Sequence, residues 1–159
     1  MRSLDVHLLE RGPDTLTLRY VLDGDLSRLR LPPTREPQHT DELWKHTCFE
    51  MFARRTAEGT AYLELNASPS TEWALYTFDD YRTGATPARP SRPPRIQVTR
   101  TAHRLEMEVR TDVRNLPCTG AMALTAVIED DRGRLGYWAL KHPSPKPDFH
   151  HPGGFLIAP

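Results

Sequence analysis

The sequence has few features of exported, membrane-bound or nucleic-acid-binding proteins. It contains two cysteines, Cys48 and Cys118, and no apolar run that approaches the ~20 residues needed to span a membrane. Its opening, MRSLDVHLLERG, lacks the apolar stretch of a signal peptide. Its 21 basic residues equal its 21 acidic residues, so no net charge attracts nucleic acid or an anionic membrane. We therefore expect a cytoplasmic protein with two free thiols, and neither nucleic acid nor a membrane as its partner.

The better-known signatures of enzymes are also missing from the sequence. It has no Ser-His-Asp arrangement with a nucleophile elbow and no glycine-rich phosphate loop. Whether the protein is an enzyme therefore stays open, and a non-catalytic function is favoured.

Proline, by contrast, is abundant, with fifteen residues, and most of it marks connectors. The segments LPPTREP (31–37) and TPARPSRPP (86–94) are predicted to be extended, because proline fixes φ and disfavours helix at the preceding residue. The parts of the chain before and after the second connector are each short for an independent core. We therefore interpret residues 1–159 as a single domain.

Between the connectors, apolar residues alternate with polar ones, which is typical of half-buried strands. In TLTLRYVL the residues Leu16, Leu18, Tyr20 and Leu22 share one face. Similar alternation occurs in the runs LDVHLLE, CFEMFARR, AYLELNA, EWALYTF, RIQVTRT, RLEMEVR, AMALTAVIE and LGYWAL. About nine to eleven strands without a long helix predict an all-β fold, a single antiparallel β-sandwich of the immunoglobulin-like or jelly-roll kind. A closed barrel is the main alternative.

Two of these runs carry polar residues on a shared face. In CFEMF that face holds Cys48, Glu50 and Phe52, and in YLELN it holds Tyr62, Glu64 and Asn66. If the two strands pair with these faces together, two carboxyl groups and an amide meet on the sheet. This cluster is either the solvent side of the sheet or a polar pocket for a polyhydroxylated or cationic ligand. Two carboxyl groups at a suitable separation also serve as acid and base.

The aromatic residues are concentrated in two windows, residues 44–82 and 137–155. Of thirteen aromatic residues, only Tyr20 lies outside them. The chain uses eighteen arginines and only three lysines, yet all three lysines, Lys45, Lys141 and Lys146, lie in the same windows. We infer that the two windows meet in space and form one feature, although packing of the core would also concentrate aromatic residues.

The segments LWKHTCFEMF, YLELNASPSTEWALYTFDDYR and YWALKHPSPKPDFHHPGGF resemble the bacterial DOMON-like proteins, relatives of the family nine carbohydrate-binding modules. One branch of these proteins is associated with UDP-N-acetylenolpyruvoylglucosamine reductase. The resemblance begins near residue 40 and extends through most of the remaining chain, and its most specific part is the last segment. It implies a β-sandwich and a ligand-binding role, with haem or sugar as ligand.

The sequence contains residue types that can ligate haem or zinc. Met51 and Met107 could ligate haem, but each lies on the apolar face of its strand pattern and is more simply explained as core. The spacing of the C-terminal metal donors matches no zinc signature, and adjacent histidines on an extended segment point apart. Those donors are His142, Asp148, His150 and His151. We predict no cofactor, with metal binding or metal-dependent hydrolysis as an alternative.

The proline-rich run at residues 137–155 is predicted to end a last strand at Leu140 and to cross the mouth of the sandwich. Its HPGGF turn would return the chain so that FLIAP pairs at an edge. The residue types favour a small-ligand binding module for a carbohydrate-like ligand, because aromatic rings stack on sugars and polar groups bond their hydroxyls. The candidate ligand-binding residues are Trp44, His46, Glu50, Glu64, Asn66, Trp73, Trp138, Lys141, His142, Asp148 and His150. Of these, we expect Trp138, Lys141, His142, Asp148 and His150 of the run to approach Trp44, His46, Glu50 and Glu64. The alternative is a protein-interaction domain in which this run is a structural clamp.

Overall fold

The computed structural model describes residues 1–158, which form ten β-strands and three short 3-10 helices. Each of the nine alternating runs contains a strand, and β6, a short strand within the second proline connector, is the one that alternation did not predict. The strands are β1 (Ser3–Arg11), β2 (Thr15–Asp23), β3 (Cys48–Arg54), β4 (Tyr62–Ala67), β5 (Trp73–Phe78), β6 (Thr86–Pro87), β7 (Arg95–Arg100), β8 (Arg104–Asp112), β9 (Met122–Glu129) and β10 (Leu135–Ala139). The 3-10 helices are Leu26–Arg28, Leu43–Lys45 and Pro152–Gly154.

The strands form two sheets in which every pair of neighbours is antiparallel. The smaller sheet has the order β1-β2-β8-β7, and the larger has the order β10-β9-β3-β4-β5-β6. The predicted all-β sandwich is thus confirmed. A closed barrel is wrong, because the strands divide between two separate sheets. Among residues 1–158, no helix is long and apolar enough to cross a membrane.

The main core lies between the two sheets and is built from the alternating apolar faces. Leu16, Leu18 and Leu22 of β2 are at most 1% exposed, as their shared face predicts. Met51 and Met107 are buried in the same core, as expected from their strand patterns. Both cysteines are free and buried, in agreement with the predicted thiols.

The larger sheet buries its outer face as well, which alternation alone does not predict. Every residue of β4 and β9 is buried, and so is every residue of β3 except Arg54. The C-terminal segment, residues 140–158, supplies part of this cover, because Phe149 and Phe155 pack against an outer-face cluster formed by Phe52, Tyr62, Phe78 and Ala123. The larger sheet is therefore the middle layer of three.

The path of the C-terminal segment corrects one prediction and confirms another. Strand β10 ends at Ala139, one residue before the predicted Leu140. The chain then crosses the outer face of the larger sheet and not the mouth of the sandwich, because the aromatic residues of the tail find their apolar partners on that face. Ile157 returns to the sheet through two backbone hydrogen bonds with Met122, so the predicted pairing of FLIAP is present as a single bridge.

Replacing a fully buried leucine in the main core should destabilise the fold strongly. Leu105 is 0% exposed, so we expect Leu105→Ala to lower the free energy of unfolding by about 2–5 kcal/mol through lost burial and the cavity left behind. Leu140→Ala is the matched control, because Leu140 is 51% exposed, and it should change stability by less than about 0.5 kcal/mol. Urea denaturation measures both, and similar losses would contradict the assigned core.

Candidate functional site

A cavity of about 450 Å³ lies on the outer face of the larger sheet, between the sheet and the segments that cover it. Five aromatic residues, together with smaller apolar ones, form most of its wall. These five are Trp44, Tyr76, Phe78, Tyr137 and Phe149. Two glutamates, an arginine and a histidine also line it, namely Glu50, Glu64, Arg82 and His150. The two aromatic-rich windows of the sequence therefore meet here, as predicted.

The pairing of β3 with β4 brings the two glutamates together. Glu50 lies opposite Asn66, and Phe52 lies opposite Glu64, so the carboxyl groups are diagonal neighbours on the same face of the sheet. The prediction that the two polar faces coincide is confirmed. Their interpretation as the solvent side of the sheet is wrong, because Glu50 is 3% exposed and Glu64 is 6% exposed.

The Glu50 carboxyl group is only partly hydrogen-bonded. Its Oε2 accepts a hydrogen bond from Thr125 Oγ1 at 3.4 Å, while its buried Oε1 has no partner among the described residues. Burial raises the pKa of Glu50 well above its ordinary value, and the nearby Glu64 raises it further. A buried polar atom without a partner is costly in free energy. Glu50 therefore has an unused hydrogen-bonding atom in a residue that lines the cavity.

Glu64 is held by one strong hydrogen bond and faces His150. Its Oε1 accepts a bond of 2.7 Å from Asn66 Nδ2, and its Oε2 lies 3.7 Å from His150 Nε2. Burial raises the pKa of Glu64, while Asn66 and Arg82 oppose that shift. Asn66 itself is fully buried, so it orients the carboxyl group from beneath the cavity and does not line it.

His150 is neutral at pH 7 and its tautomer follows from its neighbours. Burial lowers its pKa to about 4, with a further contribution from Arg82. The Tyr62 hydroxyl lies 2.7 Å from His150 Nδ1, and burial raises the pKa of Tyr62 to about 12, so the phenol keeps its proton and donates a hydrogen bond to Nδ1. The imidazole proton is then on Nε2, the nitrogen that faces Glu64.

Asp148 ties the C-terminal segment to the loop after β5. Its carboxylate accepts hydrogen bonds from Tyr81 Oη at 2.6 Å, from Arg82 Nη2 at 2.8 Å and from the His150 backbone N–H at 3.2 Å. Burial alone would raise the pKa of Asp148, but the bonds from Tyr81 and Arg82 bring it below its ordinary value. The predicted residue Asp148 thus positions His150 over the sheet and is not part of the cavity wall.

Trp44, a candidate from the sequence, lies in the cavity wall. It belongs to the 3-10 helix Leu43–Lys45 and stands 6.1 Å, ring centre to ring centre, from Tyr76 in an edge-to-face arrangement. The Tyr76 hydroxyl donates to Asp41 in the loop before that helix. Tyr76 therefore links the sheet to the loop and supports one wall of the cavity.

Two of the predicted tryptophans lie elsewhere. Trp73 is 8% exposed and packs in the core between the sheets, because it alternates with Ala74 and Tyr76, which face outward. Trp138 is paired with Ala126, a core residue, and so lies on the face opposite the cavity, beside β1. The prediction that Trp138 approaches Glu50 and Glu64 is wrong, and its neighbour Tyr137 occupies the wall instead.

Three other candidates do not line the cavity. His46 is exposed, and its Nδ1 lies 2.7 Å from Glu129. Lys141 and His142 are exposed at the start of the C-terminal segment, where the His142 ring lies 6.3 Å from that of Phe149. The prediction that these side chains converge on the glutamates is therefore wrong, because His46 pairs with Glu129 and the first residues of the C-terminal segment are exposed.

The cavity wall includes Tyr76, Tyr137, Phe78 and Arg82, which are not among the predicted site residues. Tyr76 lies directly across from Glu64 on the neighbouring strand, and Tyr137 lies across from Val127 on β9. For Tyr76 and Phe78 the alternation along β5 was a usable signal, since it places both side chains on the same outward face of that strand. Arg82, in a turn with a positive φ of 51°, had no comparable signal.

The histidines and aspartate of the tail are not gathered into one cluster. No group of three or more His, Cys, Asp or Glu side chains within residues 1–158 is placed to hold a metal ion. The donors are engaged separately: Asp148 binds Tyr81 and Arg82, and His151 Nδ1 accepts the Gly153 N–H at 3.0 Å.

Comparison of the chain with protein-family models, curated proteins and solved structures gave no match. The resemblance to the DOMON-like proteins stays a prediction based on the three segments quoted above.

The buried Glu50 carboxyl group should make stability depend on pH. Since its pKa is raised in the folded protein, the folded state keeps a proton that the unfolded state releases above the ordinary value of 4.5. Stability should therefore fall as pH rises from 4.5 towards the folded pKa. The free energy of unfolding of wild type should fall, relative to that of Glu50→Gln, by up to about 1.4 kcal/mol for each pH unit in this range.

Chemical denaturation of both proteins between pH 4.5 and 8 measures this difference. Glu58→Gln, the same change on an exposed bend, is the matched control, and its stability should depend on pH in the same way as that of wild type. A Glu50→Gln curve that also runs parallel to wild type would show that the carboxyl group does not keep its proton.

His150 should titrate far below an ordinary histidine. Burial lowers its pKa to about 4, so its ring carbon proton signal in an NMR titration should stay at the neutral position from pH 8 down to about 5. Loss of the signal in His150→Gln assigns it. A midpoint near 6.5 would mean that the ring is not enclosed between Tyr62 and Glu64.

Proposed function

We propose that the protein binds a small carbohydrate-like ligand in the cavity on the outer face of the larger sheet, and that it does so without catalysing a reaction. The cavity volume, about 450 Å³, falls within the range usual for small-molecule sites. In the cytoplasm, where the sequence predicts the protein to act, a nucleotide sugar or a cell-wall precursor is a suitable ligand.

The observation that supports binding most directly is the unpaired Oε1 of Glu50. It is buried and lies in a residue that lines the cavity, so a ligand hydroxyl can satisfy it where the protein does not. An unpaired polar atom in a cavity wall is expected where a bound ligand supplies the missing hydrogen bond.

The composition of the wall supports a sugar in particular. Trp44, Tyr76 and Tyr137 offer aromatic faces and edges of the kind that pack on the apolar side of a pyranose ring. Glu50 and Glu64 offer carboxyl oxygens for its hydroxyls, and the Asn66 bond keeps Glu64 in place. Few polar groups in a mainly aromatic wall are the usual means of orienting a small polar ligand.

Replacing Trp44 should weaken binding, because it removes part of the aromatic wall. Isothermal titration against a panel of monosaccharides, amino sugars and nucleotide sugars should show saturable binding, with the dissociation constant of Trp44→Ala raised roughly ten-fold, equivalent to about 1.4 kcal/mol. Trp138→Ala is the matched control: the two tryptophans are 38% and 43% exposed, and Trp138 faces away from the cavity.

The two variants distinguish binding in the cavity from binding elsewhere on the surface. Equal weakening in both would place binding elsewhere on the protein. Absence of saturable binding across the panel, with a folded protein, would overturn the proposed function and favour the structural-clamp alternative.

A further inference from the structure

We infer that the ligand carries a protonated amine, which binds between Glu50 and Glu64, so that the cavity selects an amino sugar over a neutral sugar. This inference rests on the proposed function and names the chemical group that distinguishes its ligand. It follows from the charges around the cavity and from which oxygens are left without partners.

The two glutamates lack a cationic partner within the protein. Among residues 1–158, no arginine or lysine lies within 4.0 Å of either carboxyl group, and the nearest basic nitrogen, His150 Nε2, is 3.7 Å from Glu64. His150 is neutral at pH 7 because its pKa is about 4. Arg82 lines the cavity, but its guanidinium is paired with Asp148 at 2.8 Å. The charge of Arg82 lowers the pKa of Glu64 from a distance, but no cationic side chain among the described residues is bonded to either acidic group.

The unpaired oxygens match the donors of an ammonium group. Glu50 Oε1 is buried without a partner, and Glu64 Oε2 accepts no hydrogen bond from the described residues. An ammonium group has three donors and no acceptor, so it can bond both oxygens at once. A single hydroxyl has one donor and can satisfy only one of them. Charge-assisted bonds are also roughly twice as strong as neutral ones.

The aromatic walls add attraction for a positive charge. Trp44, Tyr76 and Tyr137 line the same cavity as the two acidic groups, and aromatic faces carry a negative quadrupole that attracts cations within about 6 Å. Aromatic side chains with carboxyl groups are a common combination in sites for organic ammonium ions. A neutral sugar gains from the same walls only through apolar contact.

Binding of an amine should release a proton from the cavity. In the empty protein burial favours the protonated carboxyl of Glu50, and a bound ammonium favours the carboxylate, so the proton leaves to solvent while the amine keeps its own. The titratable or charged groups around Glu50 lie in seven segments: Tyr20 on β2, whose hydroxyl donates to the Glu50 backbone carbonyl, Cys48 on its own strand, Glu64 on β4, Tyr76 on β5, Tyr137 on β10, Arg82 in the loop after β5 and His150 in the C-terminal segment. Strand β9 contributes Thr125 and Val127, which do not titrate.

Calorimetry with three sugars of one scaffold tests the inference. Glucosamine carries a protonated amine at pH 6.5, glucose has a hydroxyl in its place, and N-acetylglucosamine has a neutral amide. We expect glucosamine to bind about ten-fold more tightly than glucose or N-acetylglucosamine. Repeating the titrations in phosphate and in HEPES, which differ in ionisation enthalpy, should show release of about one proton for glucosamine and none for glucose.

Two variants complete the experiment. Glu50→Gln keeps the shape of the side chain but cannot form a carboxylate, so it should lose both the preference for glucosamine and the proton release. Glu58→Gln, on an exposed bend, is the matched control and should keep both.

The outcomes separate this inference from the proposed function. Equal affinity for glucose and glucosamine, or identical heats in the two buffers, would overturn the inference while leaving sugar binding intact. Absence of binding for all three sugars and for the wider panel would overturn both. Preference for glucosamine retained in Glu50→Gln would place the amine elsewhere and overturn the inference.

Discussion

The register between β3 and β4 is the constraint on which the candidate site depends. It sets Glu50 opposite Asn66 on the outer face while Met51 and Leu65 point into the core. Because side chains alternate along a strand, a slip of one residue would exchange the two faces. Carboxyl groups would then enter the apolar core, and the cost of burying them there makes that register unfavourable. The same apolar contacts that fold the sandwich therefore place the acidic groups of the cavity.

The candidate site also requires a cover over the outer face of the larger sheet. Prolines suit the covering segment, because a chain that lies across a sheet without joining it has no use for the amide donors that proline lacks. Two kinds of anchor hold it: Phe155 packs on Phe52 and Tyr62, and the Asp148 carboxylate is hydrogen-bonded to the loop after β5. The cavity is the space that these anchors leave unfilled. Its acidic groups lie between the sheet and this cover.

Alternation predicted the fold well because its signal is local. Each strand carries its own period, and the two polar faces met as expected. The positions of the tryptophans were harder to predict, because both faces of β5 and of β10 are apolar. In WALYTF, Trp73 and Tyr76 point to opposite sides, and nothing within the strand shows which side has the cavity. That depends on where the C-terminal segment lies, and a proline-rich segment has no period from which to read its path.

The covering segment also determines when the site forms during folding. The hydrogen bond between Tyr62 and His150 spans 88 residues, and the one between Arg82 and Asp148 spans 66. Contacts between residues so distant in sequence form late and slowly, because a long loop must close before they contribute. On the ribosome, synthesis must pass His150 before the cavity has its roof. A nascent chain that already has both glutamates in its sequence therefore presents an open acidic face of the sheet, and gains an enclosed site only in its last stage of folding.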